Sequence, residues 1–206
     1  GGGIIPYEYK KKNFVNSLQW LIGLEIFLLV KDPSKVFFTT DHPNGAPFTS
    51  YPELFRLLMD YDFRMQQISL INQDSIKFSF LKDIKRTYSL NDIAIMTRSS
   101  PANILGLKDR GSLKPGCIAD ISIYDPNQNI DEMFRRAKYV FKNGDEVVKN
   151  GKVLKHKKTR TIAANNKFEK SIIKNVENWT NRFYSLDKEE FKVDENYFSE
   201  NNFIYS

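Results

Sequence analysis

Apolar positions run almost unbroken from Phe14 to Val30, pause at Lys31-Asp32-Pro33-Ser34-Lys35, and resume in Val36-Phe37-Phe38-Thr39-Thr40. The first run has helix length and is apolar nearly all round, as for a helix buried against a sheet. It holds 17 residues and includes Asn16, Gln19 and Glu25, which is too short and too polar for a membrane span of about 20 largely uncharged residues. The second run predicts a short strand covered on both faces. Ser50-Tyr51-Pro52-Glu53 has capping-box spacing, and Leu54, Leu57 and Leu58 follow at helical intervals. Residues 60–88 hold no single period, and 76–81 fits either helix or strand. Ser89-Leu90-Asn91-Asp92 repeats the capping box and opens a helix to about Thr97. Ser100-Pro101 starts a further helix with proline at its first position, and Gly106 is its stop.

Beyond Gly106 the period changes. Residues 118–124, 139–142, 146–149 and 153–154 read as strands. Asn143-Gly144 and Asn150-Gly151 fall between the last three and favour tight hairpins, so an antiparallel meander is expected. So few strands need partners or a helix to cover a face. Residues 161–206 are polar but rich in aromatics. Phe168, Ile172, Val176, Trp179 and Phe183 lie on one helical stripe, which predicts a helix that docks either on the same protein or on a partner.

Composition narrows the function classes. The net charge is +6, but the lysines are dispersed apart from Lys10-Lys11-Lys12 and the cluster from Lys155 to Arg160. Solvated lysines explain this better than a nucleic-acid surface, and no nucleic-acid partner is expected. Cys117 is the one cysteine, so no internal disulfide forms, which fits a reducing, cytoplasmic location. His42 and His156 are the two histidines. With one cysteine they cannot close a structural zinc site, so any metal must borrow ligands from elsewhere. The sequence opens Gly1-Gly2-Gly3, not Met, and a portion of a longer protein is the expectation.

Chemistry concentrates at Asp41-His42-Pro43-Asn44-Gly45, directly after the apolar run 36–40. A carboxylate at the carboxyl end of a buried strand, followed by a Pro/Gly loop, is where barrel-type α/β enzymes hold catalytic groups. The same residues are also good turn formers, and Asp41 capping that turn is the plainer alternative. Gly45 is expected at positive φ. His42 and Asn44 are candidates for substrate contact. Asp120 and Asp125 bracket a strand and read as turn and capping residues.

Two further segments resemble a known family. Ser100-Pro101-Ala102-Asn103-Ile104-Leu105-Gly106-Leu107, followed by Arg110-Gly111-Ser112-Leu113-Lys114-Pro115-Gly116-Cys117-Ile118-Ala119-Asp120, is similar to the carboxyl-terminal part of the amidohydrolase superfamily. Gly1-Gly2-Gly3-Ile4-Ile5-Pro6, Leu18-Gln19-Trp20, Thr39-Thr40-Asp41-His42-Pro43-Asn44-Gly45 and Pro47-Phe48-Thr49-Ser50-Tyr51-Pro52 resemble, more closely, the amidohydrolase-like subunit of formylmethanofuran dehydrogenase. The related subunit of bacterial formyltransferase/hydrolase complexes fits as well. The alternatives are a hydantoinase relative and a free-standing scaffold subunit.

The resemblance implies an α/β fold: the end of a metal-dependent (β/α)8 barrel over residues 1–110, strands of a small antiparallel β-sandwich over 111–160, and a helical tail over 161–206. It implies that Asp41 is both a metal ligand and a catalytic proton carrier at a binuclear zinc centre. Most zinc ligands would lie outside this chain, because the family's His-x-His pair and carboxylated lysine are missing here. It implies no redox cofactor in this chain. Methanofuran and formate would be the substrates, and the other subunits of the formylmethanofuran dehydrogenase complex the partners. The chain alone would then be inactive.

Overall fold

The computed structural model describes residues 9–37, 39–42, 45–156, 161–163, 169–185, 190 and 203–205. The chain separates into two compact units, residues 1–156 and 157–206.

The first unit opens with α1, Phe14–Leu29. Asn13 caps it, its side chain accepting the Asn16 N–H at 3.0 Å. Ser17, Leu21, Leu24 and Leu28 form its buried stripe. The polar positions that broke the apolar run have structural duties. The Ser17 hydroxyl donates to the Lys11 carbonyl at 2.9 Å and accepts from the Asn72 N–H at 3.1 Å. Glu25 accepts from the Ser79 hydroxyl at 2.6 Å and from the Phe80 N–H. At the far end, Arg86 donates to the carbonyls of Leu28 and Val30, and the Tyr88 hydroxyl donates to Phe27. These donors satisfy carbonyls that the helix itself leaves open. None of the described helices is long and apolar enough to cross a membrane.

The described residues of the expected strand at 36–40 are not in a strand. Val36 is extended, at φ −131° and ψ 143°, but among the described residues the run 36–40 pairs with nothing. Extended backbone becomes a strand only when a neighbour takes its hydrogen bonds, and the four-stranded sheet of this unit lies elsewhere. The Ser50 capping box is likewise absent. Phe48–Ser50 is a 3-10 turn leading straight into α2, Tyr51–Met59, so Ser50 is already helical (φ −80°, ψ −15°) and its side chain caps nothing.

A helix the sequence did not disclose follows, α3, Tyr61–Leu70. Asp60 joins it to α2: its N–H bonds back to the Arg56 carbonyl at 2.8 Å, and its carboxylate accepts the Phe63 N–H at 2.9 Å. Inside α3, Arg64 is fully buried. Its guanidinium donates to the carbonyls of Leu57 at 2.9 Å, Ile84 at 3.0 Å and Arg86 at 2.9 Å. Burial lowers its pKa. The ambiguous stretch is built of 3-10 turns, Ser75–Phe78 and Leu81–Asp83.

The Ser89/Asp92 capping box forms in full and opens α4, Leu90–Ala94. It does not end near Thr97. A π-helical turn, Ile95–Ser99, runs on into α5, Ser100–Ile104. The two expected helices are therefore one broken helix, and its break comes just before Pro101, which has no N–H for an α-helical bond to residue 97. Gly106, at φ +72°, closes α5 with two bonds, Leu107 N–H to Ala102 and Gly106 N–H to Asn103.

The meander is the sheet β1 (Ile121–Ile123), β2 (Tyr139–Lys142), β3 (Asp145–Lys149) and β4 (Lys152–Val153), antiparallel in that order. The predicted strand at 118–124 is shortened to β1, and a helix α6, Ile130–Arg135, is inserted before β2. Both Asn-Gly turns have positive φ at both residues, 51° and 80°, then 47° and 71°, the geometry that matches strand twist. Asp120 acts as a turn residue, accepting the Asn143 N–H at 2.8 Å, and Asp125 pairs with Lys138. The core lies wholly among the helices. It includes Leu21, Leu28, Phe55, Leu58, Ile68, Leu81 and Met96, whereas no strand residue of this sheet is fully buried.

The second unit contains a short parallel pair, β5 (Thr161–Ala163) and β6 (Phe203–Tyr205), with α7, Ile172–Phe183, between them in sequence. The stripe Ile172, Val176, Trp179, Phe183 falls on α7 as expected. Phe168 lies outside the described residues.

Candidate active-site loop

The described residues on either side of 43–44, 39–42 and 45–48, are held by three hydrogen bonds from backbone N–H groups. The Thr39 hydroxyl accepts the Asp41 N–H at 3.2 Å. The Gly45 N–H donates to the Asp41 carbonyl at 2.8 Å, and the Ala46 N–H to the Thr40 carbonyl at 2.8 Å. The positive φ expected at Gly45 belongs instead to Asp41, at 52°. Aspartate is among the few side chains that tolerate this region. Gly45 is needed for another reason: a Cβ there would come 2.7 Å from the Thr40 carbonyl oxygen. A tightly closed loop thus turns Asp41 out of the extended run and leaves it exposed. Thr40 behind it is buried, and its hydroxyl has no partner among the described residues.

His42 is exposed and stacks on Phe48, ring centroids 4.2 Å apart and planes 24° from parallel. Phe48 begins a relay of rings. It lies 6.5 Å from Tyr51, Tyr51 6.1 Å from Phe55, Phe55 4.8 Å from Phe134, and Phe134 5.2 Å from Tyr124. The relay ties the loop to α2, α6 and the residue after β1. It walls a cavity of about 630 Å³ between these elements and the π turn, with Arg98 and Arg135 also lining it. The sequence reading missed this cavity. Tyr51 and Phe55 at i,i+4 were its local signal, but Phe134 arrives from far along the chain.

Of the predicted site residues, Asp41 and His42 share this loop, and Asn44 lies outside the described residues. His156 is exposed and joins no metal-binding cluster among the described residues. No group of three His, Cys, Asp or Glu side chains able to hold a metal occurs among the described residues. At the loop the described donors are Asp41 and His42 alone, so a binuclear zinc centre would need most of its ligands from outside the described residues.

A helical body carrying this loop, followed by the Gly-Ser-Leu segment and an antiparallel meander, defines a class. The amidohydrolase family model matches residues 2–154, and the chain belongs to that family. It is 39% identical over 201 residues to a subunit of the Fhc formyltransferase/hydrolase complex of Methylorubrum extorquens, covering 98% of this chain and 37% of that protein. It is 37% identical over 209 residues to Protein FwdA of Methanocaldococcus jannaschii, covering 96% of this chain and 37% of that protein. Among solved structures, it matches a chain of the formyltransferase/hydrolase complex FhcABCD from M. extorquens, in complex with methylofuran. There the TM-score is 0.82 at 37% identity, over 97% of this chain and 37% of the other. The chain thus spans a little over a third of the length of the relatives it matches. The resemblance to the amidohydrolase-like subunit of formylmethanofuran dehydrogenase is borne out by these relatives.

Proposed function

We propose that this sequence serves in an amidohydrolase-type subunit that makes or cleaves the N-formyl amide of a methanofuran-type amine within a complex of several subunits. The observation that carries the reading is similarity across nearly the whole chain to two such subunits, the loop 39–48 included. In the hydrolytic direction, water adds to the formyl carbon, the C–N bond breaks, and formate and the free amine leave. In reverse, formate and amine condense with loss of water.

The protein's task is proton transfer. The attacking water must lose a proton, and the departing nitrogen must gain one. Asp41 is the carboxylate that carries that proton between the two, a reading supported by its exposure on the loop. His42, held flat against Phe48, forms one wall beside it. Asn44 is kept as a substrate contact. The barrel, the sandwich, the zinc pair and the cytoplasmic location belong to the same reading, with the zinc ligands completed outside the described residues. So do the segment boundaries at 110 and 160.

The test is Asp41→Asn in the full polypeptide, assembled with its partner subunits. The side chain is nearly isosteric, so melting temperature and assembly stay as in the wild type. Formyl transfer falls about 10²–10⁴-fold, the usual worth of a positioned acid–base. Turnover at the wild-type rate would refute the assignment of Asp41.

A further inference from the structure

Asp41 sits at φ 52°, a left-handed backbone that few side chains adopt and that persists where the surroundings hold it. Three hydrogen bonds hold the two peptide groups that meet at its Cα. The group before it is held at both ends. Its N–H donates to the Thr39 hydroxyl at 3.2 Å, and its carbonyl, that of Thr40, accepts the Ala46 N–H at 2.8 Å. The group after it is held by the Gly45 N–H, which donates to the Asp41 carbonyl at 2.8 Å. Peptide groups are planar, so fixing both of them fixes the direction in which the Asp41 side chain leaves the backbone. Two of these three bonds join backbone to backbone. The Thr39 hydroxyl is the one side-chain group among the three.

The surroundings of Thr39 do not themselves call for a hydroxyl. It borders a cavity of about 200 Å³ walled by Trp20, Leu24 and Phe27 of α1 and by Leu54 and Leu58 of α2. Valine has the same branched shape and suits an apolar wall better. What threonine adds is an oxygen two residues before Asp41, and the Asp41 N–H is where that oxygen is used. We infer that Thr39 is a positioning residue for formyl transfer, acting through the Asp41 N–H to hold the carboxylate in the direction from which it moves the proton. This rests on the proposed role of Asp41. A proton carrier works only at hydrogen-bond reach of both its partners, so a small swing of its side chain costs rate while leaving substrate binding alone.

The test uses the full polypeptide carrying this sequence, assembled with its partner subunits. Thr39→Val lowers kcat by about 10-fold and leaves KM within about twofold. Thr39→Ser, which keeps the oxygen, restores kcat to within about twofold of wild type. Thr39 and Asp41 are exposed, so no buried group loses its partner and the melting temperature is unchanged in both variants. Hydrogen exchange in a peptide spanning Asp41 is faster in Thr39→Val and normal in Thr39→Ser. The deciding measurement is a double-mutant cycle. In an Asp41→Asn background, Thr39→Val lowers the residual turnover no further, because the group it positions is gone. Wild-type kcat in Thr39→Val overturns the inference and leaves the role of Asp41 standing. So does an undiminished 10-fold loss in the Asp41→Asn background, which would show that Thr39 acts by another route. A lowered melting temperature with no rescue by Thr39→Ser also overturns it, because the role would then be structural. Wild-type turnover in Asp41→Asn itself sinks both readings together.

Discussion

The helical body and the meander of the first unit are built of similar residues but are stabilised differently. Between Leu21 and Ala102, apolar side chains from α1, α2, α3 and α4 close over one another, and several are 2% exposed or less. Beyond Ala102, Met133 on α6 is the only buried side chain among the described residues. The strands keep good hydrogen bonds and well-formed turns, but their side chains are at most half-buried. Each buried leucine of the body contributes about 1.5–3 kcal/mol. The sheet relies on cross-strand pairs worth about 0.2–1 kcal/mol each. A well-hydrogen-bonded sheet is thus not by itself a stable one.

The contrast is broken most severely at Arg64. Arg64→Met leaves three carbonyls, of Leu57, Ile84 and Arg86, without donors inside the body. Each unmade bond to a buried group costs about 1–3 kcal/mol, so a loss of about 3–5 kcal/mol is expected after partial relaxation. Arg64→Lys recovers part of it, since an ammonium reaches fewer of the three. Urea midpoints measure both. An Arg64→Met protein as stable as wild type would mean that the body does not depend on this centre.

A matched pair sharpens the comparison. Leu58 is 1% exposed, and Leu58→Ala should cost about 2–5 kcal/mol. Val140 in β2 is only half-buried, and Val140→Ala should cost less than about 1.5 kcal/mol. Hydrogen exchange gives the same ranking without mutation: amides of β2 and β3 exchange well before those of α1 and α2. Equal protection in both regions would show that the meander needs no cover.

How much of this was legible depends on whether the deciding interaction is local. The Ser89/Asp92 box, the Gly106 stop and the two Asn-Gly turns each complete their chemistry within a few residues, and all formed as read. The helix α3 was hidden because a buried arginine stands where the period calls for an apolar residue, and its partners lie 7, 20 and 22 residues away. The run 36–40 has strand composition, but pairing is non-local, and its neighbours are not among the described residues. At the site, the sequence found the loop and its exposed Asp41. It put the unusual φ on the wrong residue, because it credited glycine with conformational freedom where the loop needed a glycine's missing Cβ.

The joint between the two regions is the next point of attack. Gly111 sits at φ +78°, and a Cβ there would lie 2.6 Å from the Ala102 Cβ and 2.9 Å from the Arg98 carbonyl oxygen. Gly111→Ala adds overpacking to a disfavoured backbone, a loss of about 1–3 kcal/mol. Its signature should be lost protection in β1 and α5 together, with the α1–α3 core intact. If α1 opened in parallel, the two regions would be one cooperative unit.

The smallest expected effect is a pH dependence confined to the meander. Burial pushes the Asp120 carboxyl up, but the Lys142 ammonium, the Asn143 N–H and Arg110 together hold it below the ordinary carboxylate range. A folded pKa below the unfolded one means that the unfolded chain binds the proton more tightly. The stabilisation is therefore complete above the unfolded value of about 3.9 and is lost as pH falls through the lower folded value. Asp120 ties the start of β1 to the β2–β3 turn, so its protonation loosens the sheet at that end. Exchange of the Asn143 and Gly144 amides should accelerate, relative to α2, as pH drops below about 4. In Asp120→Asn that relative acceleration should vanish, because the titrating group is gone. Its persistence in the variant would assign the acid sensitivity to another carboxylate of the sheet.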